Sequence, residues 1–367
     1  MILASAPGRA GILGNPTDGY GGTVIACAIP ARAYVALSTE TDRLAIWYGG
    51  QHVELRERSD FENKGDRFDI VRAVLRYLGA FDLRAEIHCR TNVPEQAGLA
   101  GSTALLSATL AAVLKAMGQA YSPYYFAETN RIIELEHLGV QCGYNDAYST
   151  TFGGLNYMDF RGKAYYRTLA NEDYATIERL APFVDRLPFV VAHSGVKHHS
   201  GAFHRPLSDR WLEGDRAVVE GYKRIAQLAL EGKRYLIERD WFAFGRLMNE
   251  NYEIQESLAP SGDVNNRMIR AALKSGALGA KLAGAGGGGT IIALTLEPDV
   301  TIAALREAGA TEILSLAPEE AGVMVEDVNS EVDWSLIHCA RTNPCQVGAS
   351  RGYRLLGDFR MRSSESM

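Results

Sequence analysis

The segment Gly98-Leu99-Ala100-Gly101-Ser102-Thr103-Ala104 constrains this chain more than any other stretch. It follows Asn92-Val93-Pro94 at the end of a predicted strand and opens an alanine-rich helix. Glycines at such a junction let the main chain approach a ligand closely, and the amides and partial positive charge of a helix N-terminus favour an anion. The order strand, glycine loop, helix therefore reads as a phosphate cradle. The hydroxyls of Ser102 and Thr103 can cap the helix or reach a cation that bridges phosphate oxygens. The loop lacks the lysine of the GxxxxGK[ST] pattern, so in isolation a plain helix cap is an equal reading.

The elements around it suggest two halves. A chain of 367 residues exceeds a usual single domain, which predicts two packed domains. Residues 31–58 alternate apolar and polar positions (Ala33, Val35, Leu37; Leu44, Ile46; Val53, Leu55) and read as an antiparallel meander. The run from Ala6 to Gly22 is rich in glycine and proline and reads as turns before a strand at 23–29. Helical spacing marks 67–79, followed by a strand at 83–93 and helices at about 101–117 and 123–138. Short strands are expected at 155–160 and 187–192. Long amphipathic helices follow over 215–256, then a helix from 263, a glycine-rich turn, and a strand, helix, strand, strand ending near Val328. The prediction is an α+β arrangement in each half, with domains at 1–185 and 186–328 and a C-terminal extension of unknown role over 329–367.

Composition narrows the function by exclusion. The formal net charge of -6 gives no surface for a nucleic-acid backbone, so an anionic ligand must be met locally. The five cysteines (Cys27, Cys89, Cys142, Cys339, Cys345) are odd in number and lack CxxC spacing, which argues against a disulfide framework or a zinc site. No signal-peptide pattern opens the chain and no apolar run reaches the roughly 18 residues of a membrane span. These features predict a cytoplasmic protein with a small-molecule ligand, neither nucleic-acid-binding nor membrane-bound, working as a monomer or homodimer.

Two further glycine-rich segments accompany the first. One is Ala6-Pro7-Gly8-Arg9-Ala10-Gly11-Ile12-Leu13-Gly14-Asn15-Pro16-Thr17-Asp18-Gly19-Tyr20-Gly21-Gly22, and the other is Lys281-Leu282-Ala283-Gly284-Ala285-Gly286-Gly287-Gly288-Gly289. Three such motifs in this order resemble the GHMP kinase family, named for galactokinase, homoserine, mevalonate and phosphomevalonate kinases. The resemblance spans the chain to about residue 327. It implies a two-domain fold, a ribosomal protein S5 domain 2-like half followed by a ferredoxin-like half, with ATP and substrate in the cleft between them. ATP would be held by Pro94, Gly98, Leu99, Ala100, Gly101, Ser102, Thr103 and Ala104.

The same resemblance assigns the acidic residues of Glu134-Leu135-Glu136-His137-Leu138-Gly139-Val140-Gln141-Cys142-Gly143-Tyr144-Asn145-Asp146. Galactokinase-like members hold a magnesium-binding glutamate twelve positions before a catalytic aspartate, a separation matched by Glu134 and Asp146. Glu134 with Ser102 or Thr103 would then bind Mg2+, a hard cation that takes carboxylate, hydroxyl and phosphate oxygens. Asp146 would accept the proton of the substrate hydroxyl or orient it, and Arg9 matches an active-site arginine. Glu136 would be a solvated helix residue.

Departures from galactokinase bear on the substrate. Where galactokinases carry an acidic residue and a histidine that help hold a neutral sugar, this chain has Asn15 and Pro16, followed by Thr17 and a matching Asp18. Gly-Asn-Pro-(Ser/Thr)-Asp is similar to the glucuronokinase branch, as are His193-Ser194-Gly195-Val196-Lys197-His198-His199-Ser200, Arg210-Trp211-Leu212-Glu213-Gly214-Asp215 and Gly153-Gly154-Leu155-Asn156-Tyr157-Met158-Asp159-Phe160. The resemblance implies substrate contacts from Asn15, Thr17, Asp18, Tyr20, Gly286 and Gly287. The cluster Lys197, His198, His199, His204 and Arg205 is either a basic loop, with Lys197 and Arg205 on a substrate carboxylate, or a solvated loop; a metal site is the weaker reading. The expectation is phosphoryl transfer to a sugar hydroxyl, the anomeric one of a uronic acid first. Another sugar kinase (galactose, arabinose, galacturonate or a heptose phosphate), an inactive sugar sensor, and a mevalonate-type decarboxylase are the alternatives.

Overall fold

The computed structural model describes residues 1–163, 173–184, 186–196, 207–284 and 289–328. Two long strands form its spine. β1 (Ile2–Leu13) pairs antiparallel with β2 (Thr23–Ser38) along nearly its whole length. The first glycine-rich run is thus strand as far as Leu13, where turns were expected, and turn with a short 3-10 helix (Thr17–Tyr20) beyond it. Its glycines and proline are absorbed by register shifts between Pro7 and Arg9 and between Gly11 and Leu13, which bend the strand without breaking the sheet.

The first sheet runs in the order β12 (Met324–Asp327), β1, β2, β5 (Ala85–Thr91), β3 (Leu44–Tyr48), β4 (Gln51–Glu54). β6 (Leu155–Asp159) pairs the N-terminal part of β2, and β7 (Thr176–Arg179) pairs β6. The meander predicted over 31–58 is therefore only partly present. β3 and β4 form a hairpin, but β5 is inserted between β2 and β3 and runs parallel to β3. Alternation fixes which face a side chain takes; it does not fix the neighbouring strand.

Four helices complete this half: α1 (Asp69–Tyr77), α2 (Gly101–Ala116), α3 (Pro123–Ile132) and α4 (Asn145–Phe152). α2 is buried continuously from Thr103 to Leu114. Its run of alanine, leucine and valine explains this, because a helix apolar all round is stable only when covered all round. α3 passes into a π turn over Ile133–His137, so the helix expected to 138 loosens at Ile133.

The second half is a four-stranded antiparallel sheet in the order β11 (Glu312–Leu314), β8 (Phe189–His193), β10 (Thr290–Leu294), β9 (Gly279–Leu282). Its helices are α5 (Arg216–Glu238), α6 (Trp241–Leu258), α7 (Asp263–Lys274) and α8 (Pro298–Glu307). Met268, Ile269 and Ala272 of α7 and Leu305 of α8 pack on Val190, Ala192, Ile291 and Ala293. Strands and helices are mixed within each half, as the α+β expectation requires. The chain also crosses back: β12 follows the second sheet in sequence but pairs β1 in the first. Leu13, Leu228, Phe244 and Ala283 share one core cluster, so the two halves are packed together.

Among the described residues no helix is long and apolar enough to cross a membrane. Cys27, Cys89 and Cys142 are free thiols, and burial pushes Cys89 up to about 12. Cys339 and Cys345 lie outside the described residues.

Candidate active site

Three main-chain segments meet where β1 passes between the two glycine loops. The Arg9 amide donates to the Leu99 carbonyl at 3.0 Å, and the Gly11 amide donates to the Ala283 carbonyl at 2.7 Å. A Cβ on Gly8 would stand 2.8 Å from the Leu99 oxygen, and one on Gly284 would stand 2.9 Å from the Gly98 oxygen. Both contacts are closer than a side chain tolerates. Glycine is needed here for close approach of backbone to backbone.

The cradle itself sits at the start of α2. Ala100 occupies the left-handed region (φ 59°) as the N-cap, and no side chain caps the helix. The expected cap by Ser102 or Thr103 is not formed. Ser102 is exposed at the helix mouth, while Thr103 is buried and donates its hydroxyl to Glu134 Oε1 at 2.7 Å. The first turn therefore meets the cleft without a capping side chain, which suits an anion with several acceptor oxygens. Gly98, Leu99, Ala100, Gly101 and Ala104 form this turn, and Val93-Pro94 leads into it.

Arg9 ties the acid to the loops. Its Nε and Nη2 donate to Asp146 Oδ1 at 2.8 and 2.5 Å, and its Nη1 donates to the Gly98 carbonyl at 2.7 Å. The Asp146 side chain is 33% exposed against 7% for Arg9. One carboxylate oxygen is thus held by the arginine, and the acid still faces the cleft from the first turn of α4. Glu134 lies in the π turn, 5% exposed. Burial, opposed by the Thr103 hydrogen bond and reinforced by the nearby Asp146 charge, pushes its carboxyl up to about 7.

The remaining sequence-predicted residues near the turn after β1 are held by the protein itself. Asn15, 3% exposed, donates from Nδ2 to the Gly284 carbonyl at 2.6 Å and accepts at Oδ1 from Lys281 Nζ at 2.8 Å. Thr17 donates to the Gly14 carbonyl at 2.7 Å. Asp18 accepts at Oδ2 from the amides of Tyr144 and Asn145, at 2.7 and 2.8 Å, and so fixes the start of the helix that carries Asp146. Tyr20 packs its ring on Trp211 and Tyr222, with centroids 5.3 and 4.7 Å away. Lys197, Arg205, Gly286 and Gly287 lie outside the described residues, as do His198, His199 and His204.

Two residues escaped sequence reading. Lys281 was quoted only as the start of a glycine motif, yet it is fully buried beside Arg9 and Asn15. A lysine inside the apolar run Gly279-Ala280-Lys281-Leu282-Ala283 was the available signal. Gly143 was the other: a Cβ there would stand in the Asp18 carboxylate, which no spacing rule reveals.

An uncapped helix N-terminus, a paired acid and arginine at its mouth, and a second carboxylate linked to a hydroxyl of the same turn come together here, and the helix start can receive an anion. Comparison with known proteins gives the family. Residues 68–154 match the GHMP kinase N-terminal domain, 233–312 the GHMP kinase C-terminal domain, and 2–39 the galactokinase galactose-binding signature. The chain belongs to the GHMP kinase family, whose members use ATP. It is 29% identical over 303 residues to the Arabidopsis thaliana protein named "Probable glucuronokinase 2", covering 76% of this chain and 81% of that one. It is 27% identical over 350 residues to mevalonate kinase of Pyrococcus abyssi, covering 89% and 98%. Galactokinase of Lactococcus lactis in complex with galactose superposes with a TM-score of 0.72 at 15% identity, over 88% of this chain and 95% of that one.

Proposed function

We propose that the protein transfers the γ-phosphoryl group of ATP to the anomeric hydroxyl of a uronic acid, glucuronate first. The observation that carries the reading is the Arg9–Asp146 pair at the mouth of the phosphate cradle, next to a turn that opens on the neutral Asn15. Arg9 holds Asp146 Oδ1 and so turns the rest of the carboxylate toward an incoming hydroxyl. Asp146 takes that hydroxyl's proton, or aligns it, as the oxygen attacks the γ-phosphorus and the β-phosphate leaves with ADP. The amides opening α2 meet the phosphate oxygens.

Glu134 and Ser102 fit a magnesium ion, with Thr103 presenting Glu134 through its hydroxyl: a buried carboxylate beside an uncapped cradle is the donor set that a hard cation shared with phosphate requires. A magnesium ion held by these residues would supply neutralisation of phosphate charge. Asp18 holds the α4 amides and thereby the position of Asp146. The similarity to a glucuronokinase supports the acidic sugar, and the free thiols of Cys27, Cys89 and Cys142, the cysteines among the described residues, support a reducing, cytoplasmic setting. The similarity to mevalonate kinases over most of the chain favours mevalonate as the second candidate.

The test is ADP release with ATP and magnesium across glucuronate, galacturonate, glucose, galactose, arabinose and mevalonate. The highest kcat/KM is expected for a uronic acid. Turnover of mevalonate alone would overturn the sugar reading.

A further inference from the structure

Arg9 has Asp146 to balance its charge, but Lys281 beside it has no such partner. Lys281 is fully buried in β9, and its ammonium donates to Asn15 Oδ1 at 2.8 Å and to the Leu282 carbonyl at 2.6 Å, both neutral. No described carboxylate pairs with it, and the charged group it feels is Arg9, a second cation. Burial first, and then Arg9, lowers it to about 7. A buried cation without a counter-charge is costly, and that cost is relieved when an anion enters nearby. Asn15 links the ammonium to the glycine segment, since its Nδ2 binds the Gly284 carbonyl and Gly284 rests on Gly98 of the phosphate loop. The unbalanced charge therefore lies behind the contact of the two glycine loops, beside the arginine that holds Asp146 at the cleft.

We infer that Lys281 is the specificity-determining cation of the site: with a neutral Asn15 as its partner, its charge is left for an acidic substrate to balance. The inference rests on the kinase reading above and deepens it by naming what selects the acid.

The experiment measures kcat/KM for glucuronate against glucose and for galacturonate against galactose, with the full chain, ATP and magnesium. Asn15→Asp places a carboxylate on the ammonium and Lys281→Met removes the ammonium. Each is expected to lower the acid-to-neutral ratio at least tenfold, whereas Lys281→Arg, which keeps the charge, holds the ratio within about threefold. A merely structural Lys281 would lower both sugars together and leave the ratio unmoved in all variants, which would overturn the inference. If Lys281→Met does not fold, the contrast between Asn15→Asp and Lys281→Arg decides. Wild-type preference for the neutral sugars would defeat the inference and leave a sugar kinase standing. Absence of turnover and of binding for all four sugars would defeat the sugar reading, and the inference with it.

Discussion

Replacing Asp146 with asparagine separates the chemical role of this residue from its structural one. The amide is nearly isosteric, and its Oδ1 can still accept from Arg9 Nε and Nη2, which now lie 2.8 and 2.5 Å from the carboxylate. With that oxygen committed to the arginine, the NH2 group faces the cleft, where it cannot take a proton from the substrate. Loss of general-base or orienting help costs about 10²–10⁴ in kcat, or about 3–5 kcal/mol of barrier. Stability should barely change. Asp146→Ala should differ: Arg9, with a side chain 7% exposed, keeps only carbonyl acceptors, and because Asp146 is one-third exposed the cost is about 1–3 kcal/mol, less than for a fully buried pair. Coupled ADP release gives turnover, nucleotide fluorescence gives ATP binding, and thermal melts give stability. Turnover of Asp146→Asn within about threefold of wild type, or a melting loss equal to that of Asp146→Ala, would refute the reasoning.

Three further outcomes follow from the same geometry. Glu134→Gln should raise the magnesium concentration for half-maximal activity; without metal its stability advantage over wild type should grow from pH 5 to 8, because a carboxyl raised from 4.5 to about 7 opposes folding increasingly as pH climbs through that window. Melts in EDTA and a magnesium titration check both. Asp18→Ala should cost about 1–2 kcal/mol by freeing the Tyr144 and Asn145 amides, and should lower kcat more than ATP affinity, as paired melting and steady-state measurements would reveal. The preference for an acid over a neutral sugar should fall as pH rises through and beyond about 7, where Lys281, with Arg9 as the charged group facing it, loses its proton, and Lys281→Arg should flatten the profile of the kcat/KM ratio.

How far the residues themselves announced this arrangement varies along the chain. α2 was legible because a run of alanines and leucines behind a glycine loop has few other uses. Glu134 and Asp146 were paired through the resemblance to galactokinase-like kinases rather than by the residues alone, and the structure brings them near enough for the Asp146 charge to act on Glu134. β1 was misread because Pro7, Gly8 and Gly11 look like turn residues; the smallness of the two glycines serves the approach of the Leu99 and Ala283 carbonyls, partners about 90 and 270 residues away. Asn15 was read from the residue it replaces and expected to face the substrate, whereas its amide is spent on Lys281 and Gly284. Long-range partners of this kind leave no periodic trace in a single sequence.

The most direct measurement of the central claim is the product itself, followed by phosphorus and proton NMR after incubation of the protein with ATP, magnesium and glucuronate. The account predicts a sugar 1-phosphate, with the phosphorus coupled to the anomeric proton and ADP formed in equal amount. ADP formation without a phosphorylated sugar, or phosphorylation of mevalonate with glucuronate untouched, would contradict it.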